Sequence, residues 1–349
     1  APRATPPPAP PMPDTPPPLC VDLDGTLLRS DLLLESTLAL LRRHPAWALV
    51  LPLWLLRGRA HLKRQIAARV ELDPALLPYD ERVLQWLQGE RGRRPLVLCT
   101  AADARLAEGV GSHLALFDAV IASDGARNLA GAHKAQVLAE RYGSRGFDYA
   151  GNESRDLAVW RQARRAVVVN AAPGLAGAAA AECEVEREFP REGGGLRGWL
   201  KALRLHQWLK NLLVFLPLLA AHHALDLAAL GRAGLAFLAF GLCASGVYLL
   251  NDLLDLDADR RHPRKRLRPF AAGTLPLQHG LIAAPLLTLG AFALALWLAP
   301  RFALVLGAYY ALTLAYSLLL KLIVMLDVVV LAALYTVRIV AGGVVTSTP

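Results

Sequence analysis

Hydrophobic positions fall into two regimes along the 349-residue chain. In the first half they come as short runs: Leu19–Asp22, Pro95–Cys99, Asp118–Ala122, Phe147–Gly151 and Ala166–Asn170. Each run ends in small or polar residues, and helical sequence lies between them. Such alternation predicts a parallel sheet covered by helices, with ligands at the carboxyl ends of the strands. After about residue 205 the apolar runs lengthen. They predict helices near Leu209–Ala224, Leu230–Leu250, Gly280–Leu298, Phe302–Leu320 and Val324–Val345, the first of them short for a span. A charged and then Gly-rich stretch, Glu182–Gly195, reads as the linker between the two regimes.

A long insertion, about residues 27–94, separates the first two strands and reads as a small helical cap. Within it Ala46–Leu56 is almost wholly apolar, yet too short to cross a bilayer. Its flanks carry Arg42, Arg43, Arg57, Arg59, Lys63 and Arg64. Two readings stand open: a buried cap helix, which is preferred, and a helix lying in the membrane interface.

Composition sharpens this picture. The chain is 54% hydrophobic and carries a net charge of +9. A soluble nucleic-acid binder would be basic without long apolar runs, so no nucleic-acid partner is expected and membrane lipids are. The four cysteines are scattered without CxxC spacing, which points to neither a zinc site nor a disulfide framework. Residues 1–18 are dominated by proline and read as a disordered tail without a cleavable signal peptide. Residue 1 is Ala rather than Met, which suggests a fragment or a processed form.

The most informative stretch is NDLLDLDADRRHPRKRLRPFAAG, residues 251–273. At 100° per residue, Asn251, Asp252, Asp255 and Asp259 fall within about one quadrant of a helix. Like charges at this spacing repel, and at the end of a membrane helix their cost grows. A divalent cation relieves the conflict, and oxygen-only ligands suit Mg²⁺ bound with a phosphate-bearing substrate. Pro263 ends the helix, so Lys265 and Arg268 can fold back to hold phosphate oxygens. The plain alternative, a topogenic basic loop beside a polar helix end, explains the bases but not four metal-type side chains on one face. By the positive-inside rule the basic loop is cytoplasmic, which also places the first half in the cytoplasm.

These residues resemble the first signature of the UbiA prenyltransferase superfamily, in the form NDxxDxxxDxxHPxKxxRPxAxG of its decaprenyl-phosphate phosphoribosyltransferase branch. The lead-in LRLHQWLKNLLVFLPLLA, residues 203–220, is similar too, including Lys210 and Asn211. A later segment with Tyr316, Lys321, Asp327 and Arg338 looks like that branch's second signature, with one acid in place of two. The resemblance implies metal ligation by Asn251, Asp252, Asp255, Asp259 and Asp327, with Asp252 and Asp255 catalytic. It implies substrate binding by Lys210, Asn211, Lys265, Arg268, Lys321 and Arg338. It also implies a larger helical bundle than the about five helices read here, hence a partial membrane domain over 198–349.

In the first half, VDLDGTL, residues 21–27, puts two acids on one face of a strand end, an arrangement suited to a nucleophilic and an acid–base carboxylate with Mg²⁺ between. It resembles motif one of the haloacid dehalogenase-like hydrolases. That resemblance assigns Asp22 as nucleophile and Asp24 as general acid/base, Thr100 and Lys134 to phosphate, and Asp22, Asp24 and Asp156 to the metal. Asn152 stands where the family usually has Asp, with Glu153 as a doubtful substitute.

The expected fold is therefore multidomain. A Rossmann-type haloacid dehalogenase-like domain over 19–190 is followed by a linker over 191–197 and an all-α multi-pass domain of the plasma membrane, apparently truncated. The leading expectation is Mg²⁺-dependent transfer of phosphoribosyl from phosphoribosyl diphosphate to polyprenyl phosphate, with a fused phosphatase. Prenyl transfer from a prenyl diphosphate to a small aromatic acceptor is the runner-up. A phosphatase merely anchored by the helices is the third reading.

Overall fold

The computed structural model describes residues 16–125, 127–222, 225–318 and 326–346. The Pro-rich tail falls almost wholly outside them, and Lys321 does so entirely. The chain divides into two compact units, Ala1–Gly193 and Gly194–Pro349.

The first unit is built on six parallel strands: β1 (Leu19–Val21), β2 (Leu96–Asp103), β3 (Ala119–Ser123), β4 (Asp148–Gly151), β5 (Arg165–Val169) and β6 (Glu184–Phe189). Their order is β3-β2-β1-β4-β5-β6. The inner strands are apolar on both faces because helices cover both sides. On one side Leu19, Val21, Leu96, Leu98 and Val167 share a core. On the other, Cys20, Val97, Phe147, Tyr149 and Trp160 share a second. The chain leaves β1 toward β2 in one direction and reaches β4 in the other, so the strand order reverses beside β1. A crevice opens at the carboxyl ends of strands at such a point.

Helices α1 (Leu32–Arg43), α2 (Leu51–Leu56), α3 (Arg59–Ala67) and α4 (Glu81–Glu90) fill the insertion between β1 and β2. Helices α5 (Ala104–Leu114), α6 (Ala132–Tyr142), α7 (Leu157–Trp160) and α8 (Leu175–Glu182) connect the later strands. Two sequence expectations are corrected. The stretch Glu182–Gly195 is not all linker, since it contributes β6, whose alternating charges hid an edge strand. The run Ala46–Leu56 is not one buried helix: a 3₁₀ turn at Pro45–Leu49 precedes α2, and of α2 only Trp54 is buried. Pro45 and Pro52 each start one of these turns, which divides the run.

The second unit is all-helical. It runs α9 (Gly195–Leu203), a 3₁₀ run at Leu205–Phe215, α10 (Leu216–Ala220), α11 (Leu227–Leu254), α12 (Leu256–Arg261), α13 (Leu277–Leu298), α14 (Pro300–Leu318) and α15 (Leu326–Thr346). Helix α9 begins inside the stretch 191–197 read as linker. Among the described residues, three helical segments are long and apolar enough to cross a membrane: Leu227–Leu254, Leu277–Leu298 and Val328–Thr346. The span expected at Leu209–Ala224 is instead the 3₁₀ run and a short helix. There Trp208 donates to Ser245 and fits against Gly241, where a Cβ would come within 2.6 Å of its ring. Helix α11 buries a stripe of small residues, including Ala229, Ala233, Ala236, Cys243 and Gly246. Small side chains let backbones approach in a setting where lipid supplies no hydrophobic drive.

At the amino ends of the strands, away from the crevice, Asp148 is fully buried. It accepts from Arg94 at 2.7 Å and from Arg164 at 2.9 and 2.7 Å. Removing one partner of such a group costs about 3–5 kcal/mol, because the others keep their desolvation penalty. We therefore expect Asp148→Ala to lower the thermal midpoint of the first unit by at least several degrees. Thiol labelling of the buried Cys20 and Cys99 on heating reports it; an unchanged midpoint would contradict this account.

Candidate functional site

Two polar clusters stand out, one in each unit. In the first, Asp22 follows β1 directly and is 6% exposed. Its Oδ1 accepts from the Leu23 backbone N–H at 2.9 Å and from Lys134 Nζ at 2.8 Å. Lys134, on the first turn of α6, also donates to the Tyr149 hydroxyl at 2.8 Å, and Tyr149 in turn donates to Asp156 Oδ1 at 3.0 Å. A continuous buried chain thus runs Asp22–Lys134–Tyr149–Asp156. Thr100 is fully buried on β2 and its hydroxyl accepts from the Ala102 N–H.

Asp24 lies two residues on, its Oδ1 accepting from Leu32 N–H at 2.7 Å. Burial pushes the Asp22 carboxyl up to about 6, with Lys134 opposing and Asp156 adding to the rise. Asp24 is pushed up to about 8 by lost solvation, by Asp31 and by Asp22. Gly25 then turns the chain at φ +75°, and a Cβ there would sit 2.1 Å from Asn152 Nδ2. Glycine is required on both counts. Asn152 Oδ1 accepts from Thr26 at 3.3 Å, so the amide lies over the β1 loop.

The fourth motif, residues 151–156, begins at the carboxyl end of β4. Asp156 uses Oδ2 to accept from the Asn152 and Glu153 N–H groups, at 2.9 and 3.0 Å. Oδ2 thus holds the loop after β4, while Oδ1 accepts from Tyr149 on that strand. Glu153, the doubtful substitute for the acid missing at Asn152, is half-exposed and pairs with Arg155 at 3.0 Å. The donors present are oxygens suited to a hard cation, with two carboxylates and an amide around the β1 loop. Among the described residues, no three His, Cys, Asp or Glu side chains converge as a ready metal site in either unit.

A cavity of about 270 Å³ opens here, lined by Asp24, Leu55, Arg59, Lys63, Asn128 and Arg155, among others. Lys63, from the cap, was missed as a site residue. Its Nζ donates to Ala101 O at 2.6 Å and to Asn128 Oδ1 at 3.0 Å. Burial lowers its pKa from the ordinary value, with Asp24 and Asp31 opposing. Only its place in a basic cap helix hinted at this, because the fold brings it to the strand end from 38 residues away.

In the second unit, the 251–259 acids do not share one continuous helix. Helix α11 ends at Leu254, Asp255 is its cap at φ −97° and ψ 18°, and Asp259 sits on α12. Arg268 folds back as expected and bridges Asp252 at 3.2 Å and Asp259 at 2.7 Å. Arg204, which the sequence reading did not select, holds Asp252 at 2.5 Å and lies over the Tyr248 ring. It reaches there because it leaves α9 in the left-handed region, at φ +51°. Asn251 Oδ1 accepts from Ser317 at 2.5 Å, tying α11 to α14. Lys265 does not fold back; it is exposed on the loop, where His262 Nδ1 accepts from the Arg264 and Lys265 N–H groups. Pro269, Phe270 and Gly273 close the loop by the turn bond from Thr274 N–H to Pro269 O.

The remaining candidates lie elsewhere in the unit. Arg338 on α15 is 5% exposed and donates to Asn211 Oδ1 at 2.9 Å and the Tyr309 hydroxyl at 3.0 Å. Asn211 keeps a buried Nδ2 without a partner. Lys210, one residue before, is exposed among Leu209, Leu212 and Leu216. Asp327 is on the first turn of α15.

A parallel α/β unit with strand-end acids, followed by a helical membrane unit with an acid–arginine cluster, defines a two-part membrane protein. Residues 212–349 match the model of the UbiA prenyltransferase family. Over 330 residues, 94% of the chain, it is 41% identical to an uncharacterized protein of Sinorhizobium fredii, covering 64% of that protein. Over 158 residues, 44% of the chain, it is 40% identical to a decaprenyl-phosphate phosphoribosyltransferase of Mycolicibacterium smegmatis, covering 49% of it. A nodulation protein, NoeC, of Azorhizobium caulinodans is 41% identical over 43% of the chain and 49% of its own length. The chain thus spans about half to two thirds of these relatives. A phosphoserine phosphatase structure aligns with 54% of the chain and 99% of its own, at 13% identity and a TM-score of 0.35. The fold of the first unit is carried by its own strand order and strand-end residues, not by this distant likeness.

Asn152→Asp would add an acid over the β1 loop without changing shape. Ligand charge sets the affinity of oxygen sites for hard cations. We expect Mn²⁺ binding to the protein, read by electron paramagnetic resonance, to tighten about ten-fold. Unchanged binding would remove Asn152 from the cation's surroundings.

Proposed function

We propose that the second unit transfers phosphoribosyl from phosphoribosyl diphosphate to a polyprenyl phosphate, and that the first unit hydrolyses a phosphomonoester. The observation that carries the transferase reading is the Asp252–Arg268–Asp259 bridge, in a unit 40% identical to a decaprenyl-phosphate phosphoribosyltransferase. Arg268 and Arg204 neutralise these acids. With Mg²⁺ and a diphosphate bound, the acids would hold the cation and Arg204 and Arg268 the phosphate oxygens. Bound Mg²⁺ supplies charge neutralisation for a departing diphosphate. Asn251, Asp252, Asp255 and Asp259 are the residues that would hold it, with Lys265 closing from the exposed loop. Arg338 and Asn211 form a second polar point within the helices, suited to the phosphate of the lipid acceptor. Asp327 and Lys321 keep the roles the resemblance implies, a cation ligand and a phosphate contact.

In the first unit, Asp22 attacks phosphorus while Lys134 and Thr100 hold the phosphate. The leaving alkoxide takes the proton of Asp24, whose raised pKa keeps it protonated near neutral pH. Water then attacks the aspartyl phosphate with Asp24 as base, which releases phosphate and restores Asp22. The substrate we favour is the lipid-linked sugar phosphate made by the second unit. That coupling rests on the covalent fusion, and the positive-inside rule applied to the basic loop 260–268 supports a cytoplasmic transferase site.

The protein reconstituted in lipid nanodiscs should move label from phosphoribosyl diphosphate into decaprenyl phosphate. Asp252→Asn should lower this rate on the order of 100-fold or more. Incorporation only from a labelled prenyl diphosphate into hydroxybenzoate would replace this reading with prenyl transfer. Asp22→Asn should abolish hydrolysis of p-nitrophenyl phosphate and leave label transfer intact; loss of both activities together would contradict the division of labour.

A further inference from the structure

The cap of the first unit carries an apolar surface that its fold does not cover. Leu49, Leu53, Leu55 and Leu56 are 82%, 59%, 50% and 84% exposed. They are not a collapsed or loosely held loop. The Trp47 and Trp54 rings meet at 5.1 Å beneath them, and the Arg69 guanidinium lies 5.0 and 4.8 Å from the two ring centres. Trp54 packs in turn in a small core with Leu40, Ile66 and Val70. The segment 45–57 thus uses Trp47 and Trp54 as an internal platform and presents leucines outward.

Charge says what this surface meets. Between Glu35 and Glu71 the sequence has no Asp or Glu, while Arg42, Arg43, Arg57, Arg59, Lys63, Arg64 and Arg69 all occur. Arg42, Arg43, Arg57 and Arg59, which flank the leucines in the chain, are exposed. An apolar knuckle in a basic segment that carries no acid of its own matches the acyl boundary and anionic headgroups of a bilayer. The same chain holds membrane-crossing helices, so a bilayer is always at high effective concentration. Leu55 and Arg59 also line the cavity that contains Asp24, so the apolar face runs into the mouth of that cavity.

We propose that the segment 45–57 of the cap is an interfacial membrane anchor. It seats the first unit on the bilayer with its cavity facing the headgroup layer, so that it takes phosphomonoesters carried on lipids. The docking stands on the exposed leucines and the basic segment alone; the substrate class rests on the hydrolase reading above.

Single cysteines at Leu53 and Leu56 take an environment-sensitive fluorophore without background, because the four native thiols are buried. The labelled full chain is placed in nanodiscs containing nitroxide lipids. Both positions should be quenched, more by shallow than by deep nitroxides, and a label at the exposed Glu140 should not be. Replacing anionic by zwitterionic lipid should weaken the quenching. Blue-shifted emission without lipid quenching would mean that protein covers the face, and solvent-like emission would mean that nothing does; either overturns the proposal. The double variant Leu53→Glu, Leu56→Glu should then lower turnover of a long-chain alkyl phosphate in the bilayer about ten-fold, while p-nitrophenyl phosphate turnover stays unchanged. Equal loss of both would overturn the substrate assignment. Wild-type protein inert toward both would defeat the hydrolase reading and leave the quenching result to decide docking.

Discussion

Carboxylates that the fold removes from water are matched by cations, and the architecture follows from where those cations come from. At the amino ends of the strands, Arg94 and Arg164 converge on Asp148 from outside the sheet. At the carboxyl end of β1, Lys134 reaches Asp22 from the start of α6. At the end of α11, Arg268 and Arg204 reach Asp252 from both flanking segments. An ion buried without such a partner costs several kcal/mol, a large part of a domain's net stability. These pairings therefore constrain which loops can close and how.

The pairings differ in what they permit. Asp148 is shielded by two arginines and lies away from any cavity, so it serves only to hold strands. Asp22 and Asp252 lie where a crevice or a helix end leaves room for another anion. There the cation partner can exchange a carboxylate for a phosphate oxygen at little electrostatic cost, which is how a stabilising pair becomes a binding site. Asp156 occupies an intermediate position. It builds the loop after β4 by accepting two backbone N–H groups, and it passes the charge of Lys134 along through Tyr149.

The helical unit solves a different problem. Without water to drive helices together, contact depends on small residues and on hydrogen bonds across the interface. The Ala- and Gly-rich face of α11 supplies the first, and Ser317 to Asn251 and Arg338 to Asn211 supply the second. Several residues of the 251–273 signature accordingly have architectural roles: His262 caps a turn, and Pro269 and Gly273 close the loop that returns Arg268.

The sequence by itself determined the two regimes, five of the six strands (four to within one residue at either end, β2 ending four residues later than read), and the residues around which both clusters form. Those features are local: hydrophobic period, strand-end motifs and acid spacing act over a few residues. Tertiary structure alone decided the rest. Strand β6 was hidden because an edge strand with alternating charges has the composition of a linker. Arg204 and Lys63 were hidden because a side chain brought from tens of residues away leaves no local trace. The break at Asp255 and the turning of Asp156 onto backbone N–H groups depend on φ and ψ, which a helical wheel takes as ideal. For the cap, an apolar run bounded by arginines allowed either burial or an interface. The outward leucines follow from two prolines and a tryptophan pair that the sequence displayed but could not orient.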